Sequence, residues 1–173
     1  MAFVSFFAAS GAFFSDADES WSEYLSGSAG DQTTFLVTTK GVTFYDHRPE
    51  TVPNTESFSK WPCVLIWTSG TVNSMTETNS HHIECTTTFR IFTNNSSTVT
   101  AGADAQAIGG AIVGALSKGG YNGWGGTDLA SYVNFAPITV TLGDFEVNPE
   151  TDNTPWVAQQ VVEATWTHWE LQA

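Results

Sequence analysis

The strand signal is clearest toward the C-terminal end of this chain, although its alternation is not a simple apolar/polar one. From Pro155 to Gln172 the sequence reads as one long strand, rich in β-branched and aromatic residues and free of Gly or internal Pro. Val157, Gln159, Val161, Glu163, Thr165, Thr167, Trp169 and Leu171 fall on one face. Trp156, Ala158, Gln160, Val162, Ala164, Trp166, His168 and Glu170 fall on the other. Apolar residues occupy both faces, so both call for cover by a sheet face, a helix or a neighbouring subunit. A second long strand is predicted over His81–Thr93, with Ile83, Cys85, Thr87, Phe89 and Ile91 on one side. Its other side, His82, Glu84, Thr86, Thr88 and Arg90, is polar and should be wet or meet a partner. Cys63–Trp67 is a continuous apolar strand bounded by Pro62 and Gly70, expected in the centre of a sheet, and polar Thr71–Ser80 reads as an exposed hairpin extension.

The period changes to that of a helix between Ala103 and Leu116, where Ala105, Ile108, Ile112, Val113 and Leu116 form the buried stripe. Gly109, Gly110 and Gly114 each weaken this helix by roughly 1 kcal/mol relative to Ala, which points to close packing on the sheet. Near the N-terminus, Ser15-Asp16-Ala17-Asp18 has the form of a capping box, and Trp21, Tyr24 and Leu25 follow at helical spacing. A short helix over Asp16–Leu25 is expected, ended by Gly27–Asp31. Thr34–Thr38 and Val42–Asp46 read as two short strands of a hairpin turning at Thr39-Lys40-Gly41. Residues 47–60 form a loop marked by Pro49, Pro53, Asn54, Ser57 and Ser59. Strands are expected at Ile138–Leu142 and Asp144–Val147, then an acidic turn over 148–154. The order of elements gives an α+β fold: an antiparallel β-sheet with a helix packed across one face and a short N-terminal helix. At 173 residues the chain is read as a single domain, 1–173. The first fourteen residues carry Phe3, Phe6, Phe7, Phe13 and Phe14, which are either tucked into the core or held for a partner.

Composition changes the picture through charge. Eighteen Asp and Glu stand against five Lys and Arg, a net charge of −13, while only 13% of residues are charged. The polar surface is therefore built from Thr, Ser, Asn and Gln under a negative field. Such a surface repels nucleic acid and anionic membrane, which argues against sequence-specific nucleic-acid binding. It would suit a wall past which DNA slides. Cys63 and Cys85 sit in strand-like apolar runs and read as small buried hydrophobes. With no basic stretch before the apolar residues 1–14, the chain reads as a soluble protein made in a reducing cytoplasm.

Candidate chemistry adds little. His81 and Cys85 share a strand face, His82 points to the other, and no second ligand pair completes a metal site. His168 and Glu170 share a face of the last strand and read as an ordinary solvated or interface pair. Asp16, Asp18 and Glu19 sit in a first helical turn, where the macrodipole favours carboxylates whatever the function. Gly119–Gly126 has the glycine density of a phosphate loop but lacks the following Lys-Ser/Thr and follows a helix. The chain reads as no enzyme, with no catalytic residue, metal or cofactor.

From Pro62 onward the layout resembles the tail-terminator (tail-completion or neck) proteins of long-tailed bacteriophages, small α+β proteins at the junction of tail tube and head. The resemblance rests on Trp61-Pro62-Cys63-Val64-Leu65-Ile66, the long strand His81–Thr93, the helix Ala103–Leu116 with its downstream strands, and Ala164-Thr165-Trp166-Thr167-His168-Trp169. Residues 1–60 depart from it as a divergent N-terminal extension. The resemblance implies a virion protein, assembled in the host cytoplasm, that forms a ring of six copies, caps the tail-tube protein and offers a surface to the head–tail connector. Genomic DNA would pass through the ring as cargo, and no membrane would be involved. Six copies would sum to roughly −78 charges around the lumen. The surfaces expected to meet neighbouring subunits or the tube are His82, Glu84, Thr86, Thr88 and Arg90, together with the loop residues Pro49, Pro53 and Phe58. Two other readings are a tail-tube or other neck protein, and a monomeric ligand-binding module using Tyr121, Trp124 and the glycine-rich loop.

Overall fold

The computed structural model describes residues 6, 12–46, 60–75, 80–123, 127–149 and 156–171. Five strands form one mixed sheet in the order β1-β2-β3-β5-β4: β1 Thr43–Tyr45, β2 Cys63–Met75, β3 Ser80–Asn95, β4 Phe135–Pro149 and β5 Trp156–Leu171. The helices are α1 Phe13–Glu23, α2 Asp31–Thr33, α3 Thr98–Gly123 and α4 Leu129–Tyr132. Wide π turns extend α1 through Tyr24–Ser28 and α2 through Thr34–Thr39. The fold is α+β, as the periodicities imply.

Strict alternation sets the register. Along β3 the odd positions from His81 to Thr93 are all buried, while the even ones lie on the opposite face with mixed exposure. β3 pairs antiparallel with β2 on one side (Ile66 opposite Phe89) and with β5 on the other (Phe89 opposite Val162). These residues face the helices, and one core joins Val64, Ile66, Phe89, Ile91, Val162 and Trp166 of the sheet to Trp21, Leu25, Ile108 and Ile112 of the helices. Phe13 and Leu36 belong to that same core, so the N-terminal third packs with the rest of the domain. Tyr24 strengthens the join by donating its phenol O–H to Ala115 O on α3 at 3.0 Å.

Four expectations need correction. The hairpin over Thr34–Asp46 does not form: Thr34–Thr39 is helical and buries Leu36, and only Thr43–Tyr45 is extended. The chain leaves the helix at Gly41, whose φ of +65° a side chain would resist, with Val42 N–H donating to Leu36 O at 2.9 Å. β1 then runs parallel to β2, so the sheet is mixed at this one edge. The capping box at Ser15 also fails, because α1 begins at Phe13 and the Ser15 hydroxyl donates back to Ala12 O at 3.0 Å. α3 is far longer than its apolar stripe and continues as helix through Gly123, taking most of the supposed glycine-rich loop. Finally, the two strands expected at Ile138–Leu142 and Asp144–Val147 are one strand, irregular between Phe135 and Thr139 and again between Leu142 and Phe145.

Candidate assembly surface

Helices cover one face of the sheet. The other face is built by Cys63, Leu65 and Trp67 of β2, the even positions of β3, and the odd positions of β5 from Val157 to Leu171. Among the described residues, an apolar cluster of Cys63, Leu65 and Phe92, ringed by Tyr45, Trp61, Trp67 and Val157, closes one end of this face. The rest is hydroxyl-rich, with Thr86 opposite Thr165 and Thr88 opposite Glu163. β5 is thus buried on its Ala158–His168 side, while Glu163, Thr165 and Leu171 remain exposed.

The five strand positions expected at an interface do share this face. Glu84 is exposed, His82 and Thr86 are half-buried, and Thr88 is buried. Arg90 is half-buried and its guanidinium lies 5.2 Å from the centre of the Trp67 ring, a cation–π pair that leaves Nε without a hydrogen bond. His82 meets the Trp169 ring edge-on at 6.4 Å. This side is therefore only partly wet, because Trp67 covers the Arg90 guanidinium and Trp169 abuts His82. Pro49, Pro53 and Phe58 fall outside the described residues, as does Trp124.

Electrostatics favour one sign. By register Glu84, Glu146 and Glu163 share the face with Arg90. On the helical side, Asp16, Glu19, Glu23 and Asp128 line a cleft of about 420 Å³ between α1 and α4. Burial, and then Asp16, Asp128 and Glu19, push the Tyr132 phenol up.

Among the described residues, two edges of the sheet are open. β1 covers only Cys63–Leu65 of β2, leaving Ile66–Met75 unpaired on that side among the described residues. At the opposite side β4 pairs with β5 alone. Leu142 and Phe145 on β4 are 56% and 40% exposed, and Val99 at the start of α3 is 78% exposed. On α3, Ala103, Ala107 and Gly110 are exposed as well.

Sequence reasoning missed two buried polar groups. His168 is fully buried, its Nδ1 2.8 Å from Tyr132 O and its Nε2 3.6 Å from Glu170, with the Phe13 ring against it; it is not a solvated pair. Asp18 caps nothing and lies buried between α1 and β2, accepting from the Thr68 hydroxyl at 2.6 Å. No known protein family matches the chain, and no curated protein matches it.

Proposed function

We propose that this protein is a structural ring subunit of a phage tail neck, where it ends tail-tube growth and joins the tail to the head connector. The observation that carries the reading is the pair of unequal edges on opposite sides of one sheet that no described residue pairs, Ile66–Met75 of β2 and the outer side of β4. An open strand edge is a template for pairing with another chain. Two different edges on opposite sides favour head-to-tail contact between copies, and such contact makes a ring where the rotation closes. Continuing the sheet from copy to copy would set its helix-free face along one wall. That wall would be rich in Thr, with Glu84, Glu146 and Glu163 on it and Arg90 held against Trp67. A hydroxylated, net acidic wall attracts no phosphate backbone and would let DNA pass. The apolar area of Val99, Leu142 and Phe145 beside α3 further supports a subunit that is covered in its assembly.

Light scattering on the purified protein, with negative-stain images of the same sample, tests the reading. A closed particle near six times 18.7 kDa, about 112 kDa, is expected. Long tubes would move the assignment to a tail-tube protein. A monomer that also fails to bind isolated tail tubes would end the assembly reading.

A further inference from the structure

A line of hydrogen bonds crosses the core from β5 to α1. The Trp166 indole N–H donates to Thr87 Oγ1 at 2.8 Å, Thr87 and Thr68 share a hydroxyl–hydroxyl contact of 2.8 Å, and the Thr68 hydroxyl donates to Asp18 at 2.6 Å. The indole can only donate. Thr87 accepts that N–H, and either hydroxyl can supply the proton of the middle contact. The line terminates on a carboxyl that is 5% exposed.

No cation faces that carboxyl among the described residues. β2 presents Val64, Ile66, Thr68 and Gly70 to α1, none of them titratable. On the same sheet face, β3 carries Cys85 and His81, and β5 carries His168 beneath Phe13. The Cys85 thiol is pushed up to about 12 by burial and stays neutral. Asp46, just after β1, adds like charge, and α1 itself carries Asp16, Glu19 and Glu23. Across α1, α4 adds Asp128 and Tyr132. Lys40 is paired with Asp104, and Arg90 lies on the opposite face of the sheet. Among the described residues, a charged carboxylate in this position has only the hydroxyl and backbone amide of Thr68 to compensate for lost water.

We propose that Asp18 is a proton-operated latch: its neutral acid holds α1 against β2, and loss of the proton loosens that helix from the sheet. Burial raises the carboxyl from 3.8 to about 7; donation by Thr68 lowers it, and the charge of Asp46 raises it. The folded chain thus holds this proton more tightly than the unfolded chain, so the site's contribution to stability is complete below pH 4. It is lost as pH rises from about 4 toward 7. The part it controls is large, because α1 carries Phe13, Trp21 and the Phe14 ring that would lie 3.1 Å from a Cβ at Gly70. This inference does not depend on ring formation.

The test is urea unfolding of the full chain at pH 5 and pH 8, beside Asp18→Asn. Between these pH values the wild-type folding equilibrium should fall on the order of a hundredfold from this site alone, and the variant should lack that fall. An equal pH dependence in both proteins would overturn the latch. If Asp18→Asn does not fold, the ¹³C carboxyl shift of Asp18 in the native wild type decides: a midpoint near 7 supports the latch, and one below 5 overturns it. Amide exchange protection should fall with pH in Ala17–Leu25 before it falls in β5. A uniform loss across both would mean the carboxyl acts on the whole fold and not on α1.

Discussion

Gln160, buried in β5, reaches across to the neighbouring strand and donates its side-chain N–H to Gly143 O at 2.9 Å, and to Asp144 O at 3.2 Å. These carbonyls lie within the irregularity between Leu142 and Phe145, where the β4–β5 ladder skips. One side chain thus satisfies acceptors that the bulge leaves without ladder partners. Gln160→Leu keeps the volume and removes the donor. It should lower stability by about 1–3 kcal/mol, read as a lower urea midpoint at unchanged slope.

Neighbouring glycines of α3 should respond in opposite directions. A Cβ at Gly109 would sit 3.0 Å from Gln160 Cγ and 3.5 Å from Ile91 Cδ1, whereas a Cβ at Gly110 meets nothing within 4 Å. Gly110→Ala should therefore stabilise by about 1 kcal/mol, a rise of about 2–4 °C in Tm. Gly109→Ala should lose that gain and fall below the wild type, because Gln160, held by its bonds to Gly143 O and Asp144 O, resists giving the few tenths of an ångström the new methyl needs. Thermal unfolding of the two variants side by side checks the pair.

Both thiols should be silent in the native state. Burial pushes Cys63 and Cys85 each up to about 12, and neither is exposed. At pH 8 a thiol-reactive dye should label the native chain no faster than it unfolds, and label two thiols at once in denaturant. Rapid labelling of either thiol in native buffer would show that the core opens there.

Leu142 and Phe145 lie at an open edge, so charge placed there should block self-association while sparing the fold. Leu142→Lys with Phe145→Lys should give a folded monomer by light scattering, with stability lower by about 1–3 kcal/mol because both side chains also pack against α3. A double variant that still assembled would place subunit contacts away from β4.

Much of this architecture was legible because strands carry a period of two. The parity of β3 placed Ile83, Cys85, Phe89 and Ile91 on one face and His82 through Arg90 on the other, and the register agrees. Thr34–Thr38 was misread because Thr, Phe and Val favour strands by composition, whereas in the fold the segment continues the α2 helix and buries Leu36 alone. Asp18 was misread as a first-turn carboxylate, yet Phe14, Asp18, Trp21 and Leu25 fall at one helical face. That spacing places a carboxyl inside the apolar stripe and would have exposed it. The partners of Asp18 were not legible, since Thr68 and Thr87 become neighbours only through the β2–β3 register. Trp67 over Arg90 was hidden for the same reason.

The position of β5 carries a consequence in time. It follows β4 along the chain and lies between β4 and β3 in the sheet, so β4 and β5 can pair locally, from Pro149 opposite Trp156, but join the rest of the sheet only when β5 docks on β3. The β2–β3 hairpin can zip early from local contacts, while closure of the sheet waits on a pairing that joins residues as far apart as Ser80 and Leu171. Such long loops slow the search, and the apolar edge of β3 stays open while it lasts. Completion of the domain should therefore be governed by the docking of β5, with β4 paired to it, on β3, and capture of the waiting β3 edge by another copy is a hazard along the way.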